Sequence, residues 1–185
     1  LMDEVWVNNN ELARNLKEDG IAPEIKVIPP PSDTDWLNSS SKLFEDDNFK
    51  FYYVGEILDI NNISSLVRCF HSEFSPDEPV SLVIHPTTNM PEENKRAIVD
   101  NISQEVKSKL RIYPASEMYK KETVISQALN REGLLALHNS CDCFVSTSHG
   151  DSWSRHAFEA MAFGNTPIVG GSMGNVDFIT NSLDT

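Results

Sequence analysis

STSHGDSWSRHAFEAMAFGNTPIVGG, residues 146–171, carries the reading that decides the fold. An apolar run over residues 142–146 predicts a strand ending at Ser146. A polar loop containing Gly150 follows, then a helix over 155–163 and a strand over 167–169. Strand, short loop, helix, strand is the repeating unit of a parallel sheet. Where the loop becomes helix, backbone N–H groups lack intrahelical partners and favour an anion. The small residues Gly150, Ser152 and Ser154 let a ligand approach the backbone. Asp151 sits in the loop, and Glu159 lies about one turn into the helix. Each carboxylate can accept two hydrogen bonds from the vicinal hydroxyls of a sugar. The same two residues also suit plain helix capping and complementing of the helix dipole, so the ligand reading and the capping reading stand side by side.

Upstream, the pattern continues. Aromatic and β-branched residues in FKFYYVG, residues 49–55, predict a buried strand. Ile63, Leu66, Val67, Phe70 and Phe74 recur at helical spacing. A strand is expected over residues 80–84, and a helix over 91–110 with Pro91 near its start. A short strand is expected over 110–113, and a loop with one helical turn over 116–127. Asn130 is positioned to cap a helix running to His138, with Leu134, Leu135 and Leu137 in the core. Before all this lie a strand over 3–7, a helix over 11–19 stopped by Gly20, and a strand over 25–28. Pro29-Pro30-Pro31 then breaks the pattern, and residues 29–41 read as a linker. The fold class is α/β, a Rossmann-like doubly wound parallel sheet whose ligands sit beyond the carboxyl ends of its strands.

Composition narrows the function. Fifteen basic against 28 acidic residues leave a net charge of -13, the opposite of a nucleic-acid or anionic-membrane surface. No apolar run approaches the ~20 residues that span a bilayer. Leu1-Met2-Asp3-Glu4 has no basic stretch leading into an apolar one, so no signal peptide is expected. Cys69, Cys141 and Cys143 are too few for a disulfide framework and suit reduced thiols in the cytoplasm. Cys141 and Cys143 are expected on one side of a strand, but they lack the further ligands of a metal site, and no metal is assigned. Ser148, His149 and Asp151 have the composition of a hydrolase triad but lie too close in sequence to form its relay. His71, His85 and His138 fall on helix or strand patterns and are expected in packing or surface roles. Trp153 suits either stacking on a sugar or anchoring the helix to the sheet.

The stretch from Leu134 to Phe178 resembles the donor-binding domain of GT-B glycosyltransferases of the family-4, or group 1, type. That family carries Glu-Gly-Phe-Gly-Leu-Pro-x-x-Glu, followed by Glu-Ala-Met-Ala-x-Gly and a strand beginning near a proline. Here the matching residues are Asp151-Ser-Trp-Ser-Arg-His-Ala-Phe-Glu159, Ala160-Met161-Ala162-Phe163-Gly164 and Pro167-Ile168-Val169. Gly174-Asn175-Val176-Asp177-Phe178 resembles a segment at the family's donor cleft, and FYYVGEI resembles the first strand and loop of the C-terminal domain.

The resemblance implies a protein that transfers a sugar from a nucleoside diphosphate sugar to an acceptor with retention at the anomeric carbon. No metal or other cofactor takes part. By position, Glu159 would contact the ribose hydroxyls and Asp151 the transferred sugar. The amides of Trp153, Ser154 and Arg155 would face the sugar or diphosphate, with Gly55, Gly150, Ser152 and Asn175 lining the cleft. It further implies that residues 1–28 are a remnant of an N-terminal domain and that 42–185 are an incomplete nucleotide-sugar-binding domain. The chain would then be a cytoplasmic fragment, inactive until its N-terminal domain is supplied, with the acceptor, sugar and nucleotide unspecified. Departures from the family pattern point to a second reading, a non-catalytic binding or scaffolding module. Ser152 and Ser154 replace glycines, and Asp151 is one methylene shorter than the usual glutamate. Glu56 and Asn61 stand where the family has an arginine and a lysine holding the diphosphate. Arg155 could supply positive charge there, whereas Arg68 is expected at the surface. Tyr113 and Pro114 are position-based candidates for the nucleobase.

Overall fold

The computed structural model describes residues 2–31, 41–171 and 174–179. Most of the expected linker, residues 32–40, lies outside the described residues. A parallel βαβ unit comes first: β1 (Glu4–Val7), α1 (Asn10–Glu18) and β2 (Glu24–Val27). Asn9 starts α1 by accepting a 2.7 Å hydrogen bond from the Leu12 amide.

The main body is a five-stranded, wholly parallel sheet. In chain order its elements are β3 (Phe49–Gly55), α2 (Ile63–Glu73), β4 (Val80–Pro86), α3 (Glu92–Leu110), β5 (Thr123–Val124), α4 (Arg131–Ser140), β6 (Cys143–Val145), α5 (Arg155–Ala162) and β7 (Thr166–Ile168). The spatial order is β5-β4-β3-β6-β7, so strand succession reverses between β3 and β6. That reversal opens a crevice at the carboxyl ends of the two strands.

Alternation along β3 builds both halves of the core. Tyr53 points toward α2 and α3, among Ile63, Leu66, Val67, Phe70 and Val106. Tyr52 and Val54 point the other way, against Leu137, Phe144, Ala157 and Ala160. Ala157 and Ala160 are fully buried, and their small side chains let α5 lie close on the sheet. Asn130 caps α4 as expected, accepting a 2.8 Å bond from the Gly133 amide.

Two expectations fail. Residues 110–113 form no strand, because Arg111 ends α3 in the left-handed region (φ 55) and the Ile112 amide donates to the Tyr119 hydroxyl at 2.9 Å. The edge strand forms at Thr123–Val124, paired to β4, and Tyr113 packs edge-on against Tyr119 rather than at a strand end. The two cysteines also part company. Cys143 belongs to the α2–α3 side of the core and Cys141 to the α4–α5 side. Burial pushes their thiols up to about 11 and about 12, so neither supplies a thiolate at neutral pH.

Candidate functional site

The loops after β3 and β6 meet at the switch point. The His149 amide donates to the Ile60 carbonyl at 2.8 Å, and Thr147 Oγ1 donates toward the carbonyls of Asn61 and Asn62. Gly55 opens the first loop. A Cβ there would strike the Tyr53 ring, whose hydroxyl donates to the Glu56 carbonyl. Glu56 is exposed and Asn61 half-buried, with Asn61 Oδ1 lacking a hydrogen-bond partner.

In the second loop, Asp151 Oδ1 accepts from the amides of Trp153 (3.0 Å) and Ser154 (2.7 Å). Asp151 therefore engages two of the amides that the family resemblance turns toward a donor. Trp153 packs against Phe178 at 4.9 Å and Phe158 at 5.9 Å between ring centroids, an anchor for α5. Ser148 Oγ bonds within the loop, to the Gly150 carbonyl, and forms no relay with His149.

Ser154 is buried at φ 55, ψ 60, a left-handed conformation that favours glycine. This is one of the two positions where the resembled family has glycine. Relief of the left-handed strain outweighs the added chain entropy, so Ser154→Gly is expected to stabilise the fold by about 0.5 kcal/mol. Thermal unfolding checks this, and a lowered Tm would mean that the Ser154 side chain contributes packing that its geometry does not suggest.

Glu159 is 3% exposed and ringed by cationic and ring-nitrogen groups. Its Oε1 accepts from Arg131 Nη1 at 2.7 Å and from Arg155 Nε at 2.9 Å. Its Oε2 faces His138 Nε2 at 3.5 Å and His156 Nδ1 at 3.8 Å. Burial opposes its ionisation, but His138, His156, Arg131 and Arg155 together hold the carboxyl well below the usual range. Burial also lowers His138, whose Nδ1 lies 2.7 Å from the Tyr52 hydroxyl. None of Arg131, His138 and His156 was a candidate from the sequence. Only His156 and Glu159, one helical turn apart, left a signal there. Arg131 and His138 reach the site because α4 packs beside α5 on the same face of the sheet.

The βαβ unit closes over the second loop. Asn9 Nδ2 donates to the Ser152 carbonyl, and Asp177 Oδ2 accepts from the Asn10 amide at 2.7 Å. Gly174 lies at this seam, where a Cβ would collide with the Ser152 carbonyl. Asn175 is buried, and its Nδ2 donates to the Gly170 carbonyl at 3.0 Å. A cleft of about 180 Å³ remains, lined by Asn9, Leu12, Asn15, Gly150, Asp151 and Gly174. Arg68 is exposed and faces a different hollow, between α2 and α3. Among the described residues no helix is long and apolar enough to cross a membrane.

The sheet order, the crevice at its reversal and the strand–loop–helix over it are those of one half of a GT-B fold, the C-terminal type, as the solved structures it resembles show. No family model and no curated protein matches the chain. Among solved structures, a glycosyltransferase from Rickettsia africae superposes with a TM-score of 0.72 at 13% identity, over 97% of this chain and 47% of that one. HepE from Anabaena, in complex with UDP, gives 0.71 at 14% identity, over 98% and 48%. The C-terminal domain of a group 1 family glycosyl transferase from Francisella tularensis gives 0.54 at 16% identity, over 72% and 63%. The chain thus spans a little under half the length of the first two. At these identities the likeness establishes the fold.

Proposed function

We propose that this chain is the donor-binding half of a retaining glycosyltransferase that uses a nucleoside diphosphate sugar. An N-terminal half of the same protein would complete the cleft and present the acceptor. The observation that carries this reading is the meeting of residues 55–62 and 146–154 at the switch point of a GT-B-type sheet, a fold it shares with HepE, whose structure contains UDP. In this reading Glu159 accepts from the ribose hydroxyls and Asp151 from the sugar, each exchanging one of its present partners for the ligand. Gly55, Gly150, Ser152 and Asn175 shape the cleft. The bond from the anomeric carbon to the diphosphate breaks, and a bond to the acceptor oxygen forms on the same face. The charge left on the diphosphate is met by backbone amides and by Arg155, without a metal at the leaving group. Arg155 here offsets Glu56 and Asn61, which supply no cation. Unpaired cysteines suit a cytoplasmic setting. Calorimetric titration with UDP, GDP and their sugars is expected to give saturable heat. No heat from any of them at millimolar levels overturns the reading.

One observation favours the second reading, a non-catalytic binding or scaffolding module. Asp151 and Glu159 are both engaged by the protein's own groups, and a carboxylate, Glu56, opens the first loop. Glu56→Arg separates the two. If it creates UDP binding that the parent chain lacks, the donor site is degenerate.

A further inference from the structure

We propose that His138, His156 and Glu159 form a binding site for a zinc-type divalent transition-metal ion that brackets α4 to α5. Each residue offers one ligand atom, and the three atoms, His138 Nε2, His156 Nδ1 and Glu159 Oε2, lie within 4.8 Å of one another. All three are buried and have no hydrogen-bond partner. The two arginines on Oε1 meet the charge of the carboxylate, but Oε2 and the two ring nitrogens remain without hydrogen bonds, a deficit that a metal ion between them would remove.

The spacing suits a metal better than direct bonds. Glu159 Oε2 stands 3.5 Å from His138 Nε2 and 3.8 Å from His156 Nδ1. Good hydrogen bonds from nitrogen to oxygen end near 3.2 Å. Ligand atoms of a tetrahedral zinc, with bonds of about 2.0–2.1 Å, stand about 3.4 Å apart. The two ring nitrogens lie within 4.8 Å of each other, and the His156 side chain is 29% exposed, so its ring has room to turn inward and close the triangle around an ion. Two imidazoles and one carboxylate suit zinc and its first-row neighbours rather than magnesium, which prefers six oxygens.

The surrounding groups complete the arrangement. His138 Nδ1 lies 2.7 Å from the Tyr52 hydroxyl, which also accepts from Asn165 Nδ2 at 3.1 Å, so the ring orientation is set with Nε2 aimed at the carboxylate; metal ligation takes the tautomer in which Nδ1–H donates to the Tyr52 oxygen and Nε2 is bare. The two guanidiniums repel a cation, but both sit on Oε1 and leave Oε2 to the ion. Glu159 would then bridge the arginines and the metal through its two oxygens, and a water would fill the fourth position. The site stands on these three residues and does not require the donor-binding reading.

Titration of the full chain with Co²⁺ tests it. The expected result is one equivalent bound, with the intense visible bands of a tetrahedral nitrogen–oxygen site and no thiolate charge-transfer band. Zn²⁺ should displace it and Mg²⁺ should not. His156→Ala, at a partly exposed position, should fold and lose at least tenfold in affinity. Tyr52→Phe, which frees the His138 ring, should lose ten- to a hundredfold. Absence of binding at millimolar Co²⁺ or Zn²⁺ overturns the proposal. So does binding that survives His156→Ala unchanged, or that disappears with Cys69→Ser. UDP calorimetry on the same sample separates the two readings, because metal binding without nucleotide binding leaves this site standing and removes the donor assignment.

Discussion

Glu122→Ala is expected to destabilise the protein by about 3–5 kcal/mol, the cost of leaving buried charge without its partner. Glu122 is 9% exposed and ties three elements together far from the crevice. Its Oε1 accepts from His71 Nε2 of α2 and Ser103 Oγ of α3, both at 2.6 Å, and its Oε2 accepts from Lys107 Nζ at 2.9 Å. Burial pushes the carboxyl up, but these three donors outweigh it and hold the pKa at about 2, against 4.5 for the free group. A depressed carboxyl contributes stability that is complete above the unfolded value and is lost as pH falls toward the folded one. The parent chain should therefore weaken between about pH 4.5 and pH 2, and the alanine variant should lack that step. At about 2–4 °C per kcal/mol for a chain of this size, Tm at neutral pH should fall by roughly 6–20 °C. A fall of less than 2 °C would mean that the lysine and histidine find other partners.

Glu159→Ala should be the most damaging change at the crevice. Two guanidiniums bond that carboxylate and two ring nitrogens face it, and its truncation opens a void beside the fully buried His138. Arg131 and Arg155 are 40% and 70% exposed and recover solvation, so their share is discounted. A loss of about 2 kcal/mol follows, together with a drop of about a hundredfold in nucleotide affinity if the ribose hydroxyls bond this carboxylate. Glu159→Gln separates these effects. Its amide oxygen still accepts from the arginines and its NH₂ can donate toward His138 Nε2, so stability should largely return while binding does not. Unfolding curves and UDP calorimetry on both variants check this, and an unchanged UDP affinity in the alanine variant would remove Glu159 from the ligand contacts.

Most of the sheet was legible because each of its longer elements carries its own period. FKFYYVG alternates, and Ile63 to Phe74 repeats at helical spacing, whatever surrounds them. The edge strand was not legible. Thr123–Val124 is two residues long, and β4 alone selects it by offering a free ladder, while Arg111 turns the chain away from the apolar residues that follow it. The crevice loop was legible as a strand–loop–helix junction, including residues 146–154, Asp151 and Glu159. The contacts of its carboxylates were not, because Asp151 folds back on its own amides and Glu159 meets partners from another helix.

STSHGDSWSRHAFEAMAFGNTPIVGG by itself determined the strand–loop–helix and, with its upstream neighbours, the parallel doubly wound class, because local periodicity and turn chemistry act over a few residues. Only the tertiary structure decided what Glu159 faces. Arg131 and His138 lie 28 and 21 residues away in the chain and come to it because α4 and α5 pack on one face of the sheet. It also decided that the Asn8–Asn10 turn seats against Ser152 and Asp177. Packing sums interactions over the whole chain, and no local pattern encodes which distant side chain will fill the last place around a buried charge.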